Sequence, residues 1–181
     1  RALSGKRSQR NSQAQDPHKV QMQWLINLYS QGQFHKALSK ALQLLSEFPT
    51  SPELSNFIGS INKSVGKHEE AIGTFKKALS IKPHYPQAYY NMGNAFAEKG
   101  NLEAARASYK KAIEYKHDYA KAMWNFSGTA ENIAEAKSWV KKCLSIDPNY
   151  EEATLTLCAL ESYNGNNTRI NSLMQPSWQQ L

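Results

Sequence analysis

Apolar residues recur along this chain at the three- and four-residue intervals of amphipathic helices. Between residues 86 and 98 one apolar face contains Tyr89 and Phe96, and after the turn "KGN" a second face contains Ala105 and Tyr109. Proline follows such a pattern at Pro83, where a helix is expected to end. The pattern therefore predicts pairs of helices joined by short turns that contain glycine.

The helix pairs themselves repeat with a period of 34 residues. The turn glycines Gly32, Gly66 and Gly100 are each 34 residues apart. The same spacing relates several other residue types: Ala37, Ala71 and Ala105; Pro49 and Pro83; Phe75 and Tyr109; Gly59 and Gly93; Tyr85 and Tyr119. Agreement among many residue types on one period predicts a stacked helical repeat.

A helix-turn-helix unit of this length and residue pattern resembles the tetratricopeptide repeat, or TPR. The third unit, "PQAYYNMGNAFAEKGNLEAARASYKKAIEYKHDY", matches the family pattern nearly throughout, and departs from it where His117 replaces the usual proline. The resemblance implies an all-α, right-handed α-solenoid. We expect an array over 17–163, with units at about 18–51, 52–85, 86–119, a shortened 120–150 and the start of a fifth at 151–163, followed by a capping helix and exit segment in 164–181.

The fourth unit lacks three residues and its turn glycine. Ala136 follows its counterpart Ala105 by 31 residues rather than 34, yet the apolar pattern resumes directly afterwards. Three residues make nearly one helical turn, so their loss leaves the exposed face of a helix almost unchanged. We therefore expect a shortened first helix that turns at about residues 129–132 and opens one rim of the groove.

The resemblance implies a concave groove lined by the first helix of each unit. Asparagine amides there could pair with an extended peptide backbone, and aromatic rings could supply flat apolar contact. This arrangement is similar to the asparagine ladder of TPR arrays that present substrates to glycosyltransferases, although asparagine is also common at such sites for other reasons. The candidate groove residues are Tyr90, Asn91, Asn94, Lys121, Trp124, Asn125 and Gly128.

Binding of a terminal carboxylate, as in the TPR domains of co-chaperones, is a less favoured variant. Asn94, Asn125 and Lys121 match part of that residue set. Tyr90 stands where the set has a lysine, and Glu152 stands in place of a basic residue in the next unit. A carboxylate would find too little compensating charge, so an ordinary peptide or protein segment is the expected partner.

Charge distribution leaves nucleic-acid binding as a weaker alternative. Of the net charge of +7, residues 1–19 contribute +4, so residues 20–181 contribute only +3. The basic, serine- and glutamine-rich segment 1–16 is expected to be a disordered tail. Lysine pairs also recur on the second helices of three units and could form a basic stripe, but nearby glutamates favour ordinary solvated faces: Lys76–Lys77, Lys110–Lys111 and Lys141–Lys142.

No combination of residues in the sequence indicates catalysis, a metal site or a cofactor. The five histidines lack metal-ligand spacing, and Cys143 and Cys158 fall where the repeat requires small residues. Two cysteines suit a reducing compartment, hence the cytoplasm, and no apolar run approaches membrane-spanning length. Because the chain begins with Arg1, we expect it to be a piece of a larger polypeptide. A recruitment or oligomerisation domain of a methyl-, sulfo- or glycosyltransferase, and self-association through the terminal helices, are further alternatives.

Overall fold

The computed structural model describes residues 19–162, and within this range the chain forms nine α-helices and no strand. The expected basic tail at 1–16 and the expected capping helix in 164–181 lie outside the described residues. The helices are α1 (Lys19–Ser30), α2 (Phe34–Glu47), α3 (Pro52–Ser64), α4 (His68–Ile81), α5 (Pro86–Glu98), α6 (Leu102–Tyr115), α7 (Ala120–Ser127), α8 (Ile133–Ile146) and α9 (Glu151–Ser162).

Each helix packs mainly on its neighbours in sequence, which is the contact pattern of a solenoid. The tightest contacts join the two helices of one unit, and each second helix then packs on the first helix of the next unit. The first helices also touch across units, since α3 contacts α5 directly. The prediction of an all-α helical-repeat solenoid is confirmed, and one face of this solenoid is built from the odd-numbered helices.

Glycine is required where the two helices of a unit cross. A Cβ atom on Gly93 would lie 2.5 Å from Cε1 of Tyr109, and one on Gly59 would lie 2.5 Å from Cε1 of Phe75. Both rings are buried completely or nearly so, hence neither can move aside easily. The repeating glycine–aromatic pair therefore lets α3 approach α4, and α5 approach α6, closely.

The fourth unit has a differently built turn. Helix α7 has 8 residues where α5 has 13, and five residues, 128–132, separate it from α8. This confirms the predicted shortening of the first helix. Gly32, Gly66 and Gly100 turn with φ of 70°, 76° and 78°. Gly128, by contrast, has a helical φ of −67°.

Arg106, from the second helix of the preceding unit, fixes the turn at 128–132. Its Nη1 donates to the carbonyl oxygen of Thr129 at 2.9 Å, and its Nη2 forms an ion pair with Glu135. The guanidinium also lies 4.6 Å from the ring centre of Phe126. The hydrogen bonds from Arg106 hold the pKa of Glu135 below its ordinary value. A side chain of unit three thus stabilises the irregular turn of unit four.

Among the described helices, none is both long enough and apolar enough to span a bilayer.

Candidate binding groove

The first helices of successive units are joined by hydrogen bonds between side chains. Asn91 on α5 donates from Nδ2 to Asn56 Oδ1 at 3.0 Å and to Ser60 Oγ at 3.3 Å, both on α3. The Oδ1 of Asn91 accepts from Gln87 Nε2 at 3.0 Å. Asn91 is therefore a polar link between the second and third units.

Asn125 makes the equivalent link one unit further along. Its Nδ2 donates to Asn94 Oδ1 at 2.8 Å and lies 3.4 Å from the Tyr90 hydroxyl. The hydroxyl of Tyr109 donates to the same Asn94 oxygen at 2.8 Å. Asn125 is only 7% exposed, and its Oδ1 is buried without a donor among the described residues. Such an unpaired buried acceptor is uncommon in folded proteins.

These links change the interpretation of the predicted asparagine ladder. The donor groups of Asn91 and Asn125, which sequence reasoning assigned to a bound peptide, are used between units of the chain itself. They fix the first helices relative to one another. Their contact with a bound segment stays a prediction, and their acceptors and the neighbouring aromatic rings become the groups of interest.

Four aromatic rings form two pairs beside these links. Tyr90 on α5 packs against Tyr119 with ring centres 5.1 Å apart, and Trp124 on α7 packs against Tyr150 at 5.6 Å. All four side chains are half-buried. We call Tyr90, Tyr119, Trp124 and Tyr150 the aromatic wall. The same pairing thus occurs at the α5–α7 junction and again at the α7–α9 junction.

Hydrogen bonds within the chain occupy the polar ends of three wall residues. The Tyr119 hydroxyl donates to Gln87 Oε1 at 2.6 Å, and Trp124 Nε1 donates to Thr156 Oγ1 at 3.0 Å. The Tyr90 hydroxyl is the group that accepts from Asn125. These bonds hold the rings in place, so that the wall offers ring surface rather than polar groups.

Burial keeps the wall uncharged. It raises the pKa of the Tyr119 and Tyr150 phenols above the ordinary value, and the proximity of Tyr90 raises both pKa values further. Each phenol therefore remains protonated throughout the physiological pH range.

The two remaining predicted site residues lie on α7 and at its end. Lys121 is exposed in the first turn of α7, and Gly128 is half-buried directly after the last helical residue, Ser127. Sequence reasoning missed Tyr119 and Tyr150 as groove residues. Their recurrence with Tyr85, at spacings of 34 and 31, is the signal that could have identified them.

The residues weighed for other chemistry lie away from this wall. Cys143 is buried, and desolvation raises the pKa of its thiol to about 11, which makes it a poor nucleophile. The lysine pairs are exposed on the second helices, where Lys111 contacts Glu114 at 2.7 Å and Lys142 lies over Trp139. Residues 19–162 contain no cluster of side chains suited to hold a metal ion.

Sequence profiles of one repeat family match this chain over the units described above. The profile described as TPR repeat matches residues 59–100 and 93–126, and the one described as tetratricopeptide repeat matches residues 128–150. The chain belongs to the tetratricopeptide-repeat family. The shortened fourth unit is thus recognised as a TPR as well. No curated relative matches the chain significantly.

Solved TPR structures are similar in fold. MamA is 22% identical, with a TM-score of 0.65 over 78% of this chain and 79% of that chain. The first TPR of Spaghetti (RPAP3), bound to an HSP90 peptide, is 23% identical, with a TM-score of 0.59 over 61% and 90%. An O-GlcNAc transferase variant of Thermobaculum terrenum is 17% identical, with a TM-score of 0.66 over 70% of this chain and 25% of that chain. These similarities show the fold alone.

Proposed function

We propose that this TPR array is a non-catalytic interaction module that binds a segment of another protein along its first helices. The observation that carries the proposal is the aromatic wall. Its four half-buried rings are held in place by internal contacts and recur once per unit along one face. Rigid aromatic side chains provide contact area at low entropic cost, which is why they dominate the energetics of many interfaces.

The buried acceptor of Asn125 supports the same face. Its Oδ1 lies next to the wall residue Tyr90, and no donor within residues 19–162 satisfies it. A bound chain brings backbone N–H donors that could meet this demand after a small rearrangement of the amide. Asn91, whose donor and acceptor are both satisfied, offers no comparable site.

The peptide-bound neighbour supports the mode of binding but not its chemistry. The first TPR of Spaghetti (RPAP3) holds an HSP90 peptide, SRMEEVD, which is rich in acidic residues. Here the wall places Tyr90 and Trp124 at corresponding positions of α5 and α7, and Glu152 opens α9. We therefore propose a partner segment that does not depend on a terminal carboxylate.

A random library of extended peptides, displayed against the full chain, tests this function. Selected peptides should lose at least tenfold in affinity with Trp124→Ala and with the double change Asn91→Ala and Asn125→Ala. Tyr115→Ala, an exposed aromatic change on α6, is the matched control and should leave affinity unchanged. The proposal fails if no peptide is selected, or if the groove variants and the control behave alike.

Three finer statements remain proposals beside this one. The free thiols of Cys143 and Cys158 fit a reducing, cytoplasmic location. Recruitment for a linked transferase rests on fold similarity to the O-GlcNAc transferase. Self-association through the terminal helices is compatible with the exposed side chains Trp24 on α1 and Leu155 on α9. A salt-sensitive interaction with RNA that survives removal of residues 1–16 would favour the lysine stripe instead.

A further inference from the structure

The aromatic wall also indicates which class of segment it accepts. We infer that the groove binds a proline-rich segment in the polyproline II conformation, with its rings stacked against Tyr90, Tyr119, Trp124 and Tyr150. This inference rests on the proposed function and adds the chemistry of the partner. It follows from the spacing of the wall, the state of its polar groups and the charge of its surroundings.

The spacing of the wall suits a helix of three residues per turn. The two aromatic pairs belong to consecutive first helices, α5 and α7, which hydrogen bonds between Asn94 and Asn125 hold side by side. Packed helices lie about 8–10 Å apart. A polyproline II helix advances about 9 Å per turn, so every third residue of a ligand would meet the next aromatic pair.

The polar ends of the wall are already engaged, so recognition must use ring faces. Tyr119 and Trp124 donate their protons to Gln87 and Thr156. A ligand that needs side-chain hydrogen bonds would have to break these contacts. Proline rings need none, and aromatic-lined grooves are an established way to bind them.

The donors that remain match the acceptors of a proline-rich chain. Within the described residues, neither Nδ2 of Asn94 nor Nζ of Lys121 makes a hydrogen bond or ion pair. Proline has a carbonyl acceptor but no N–H, so proline-rich segments offer acceptors in excess. Two available donors beside a neutral wall complement that imbalance.

Charge near the wall favours an uncharged ligand over an acidic one. Glu98 on α5 is compensated by Lys63 at 3.0 Å and contacts His68 at 3.3 Å. Lys121 is opposed along the same face by the acidic start of α9, Glu151 and Glu152. No cluster of cations therefore surrounds the rings in the described part of the chain.

A blocked nine-residue proline peptide, acetylated and amidated, tests the inference by calorimetry on the full chain. We expect saturable binding that Trp124→Leu weakens at least tenfold. Tyr119→Phe keeps the ring and should bind as the unchanged protein does, and Tyr115→Leu on α6 is the control for an aromatic change outside the wall. Thermal unfolding of each variant verifies that it is folded.

The outcomes separate this inference from the proposed function. If library-selected peptides without proline bind at Trp124 while the proline peptide does not, the ligand class is wrong and the function stands. If neither binds, both are wrong. Binding of the proline peptide that is insensitive to Trp124→Leu would also overturn the inference, because it would place the ligand elsewhere.

Discussion

The third and fourth units pack the same helix pair with different side chains. In the third unit Gly93 crosses the buried ring of Tyr109, with a left-handed glycine at the turn. At the equivalent positions of the fourth unit stand Ser127 and Val140, both completely buried. A larger residue on the first helix accompanies a smaller one on the second. The comparison teaches that the repeat conserves volume at the crossing rather than particular residues.

The two units also differ in what holds their turns. Unit three uses a local solution, in which Gly100 adopts a φ of 78° and the Asn101 side chain caps α6. Unit four has a longer turn whose carbonyl at Thr129 is bound by Arg106 from the unit before it. The shortened unit is therefore more dependent on its neighbour, and we expect its turn to be more sensitive to changes there.

The largest expected effect is at the crossing of unit three. Gly93→Ser introduces the residue of unit four beneath an unchanged ring and should lower the free energy of unfolding by about 2 kcal/mol. In a Tyr109→Val background, which supplies the partner of unit four, the same change should cost almost nothing. Urea unfolding of the four proteins measures both values. Equal costs in the two backgrounds would contradict conservation of volume.

Loss of the Arg106 contacts should be the next largest effect. Arg106→Leu keeps an apolar stem over Phe126 but removes the bonds to Thr129 and Glu135, at a cost of about 1.5 kcal/mol near pH 7. Amide hydrogen exchange should accelerate at residues 128–132 and much less at the turn of unit three. Uniform acceleration in both turns would argue against a specific link between the units.

The same variant has a predictable dependence on pH. Because the pKa of Glu135 is lowered in the folded state, its contribution is present above the unfolded pKa and is lost as pH falls through the folded pKa. The difference in unfolding free energy between the unchanged protein and Arg106→Leu should therefore be smaller at pH 3 than at pH 7. Glu135→Gln should remove most of this dependence on pH.

Ser127→Gly should have a moderate effect. It gives unit four the glycine of unit three without the large ring that requires it, so it adds backbone freedom and removes buried contact. We expect a loss of about 1 kcal/mol in thermal or urea unfolding. A stabilised variant would show that the crossing in unit four is overpacked.

The smallest expected effect distinguishes the two asparagine links. Asn125→Leu removes a buried acceptor that lacks a donor, and Asn94 keeps its bond from Tyr109, so stability should change by less than about 0.5 kcal/mol. Asn91→Leu leaves both Asn56 and Gln87 without their partner and should cost about 1 kcal/mol. The reverse order in urea unfolding would contradict the assigned network.

Periodicity was sufficient to predict the helices, because residues such as Gly93 and Tyr109 have roles that follow from their position in the repeat. The shortened α7 was predictable from the 31-residue spacing of Ala105 and Ala136. The hydrogen bonds of Asn91 and Asn125 were not, because an amide on this face fits a ligand and a neighbouring unit equally well. The role of Arg106 was also missed, since its target, the Thr129 carbonyl, belongs to an irregular turn without a sequence pattern.

Chemical-shift mapping of the ¹⁵N-labelled chain with a library-selected peptide tests the central claim most directly. The account predicts that the largest shifts fall on α5, α7 and the start of α9, with the Trp124 indole N–H among them. The indole signal is assigned by its loss in Trp124→Phe. Shifts concentrated on the second helices α4, α6 and α8 would show that the partner binds the opposite face, and would contradict the account.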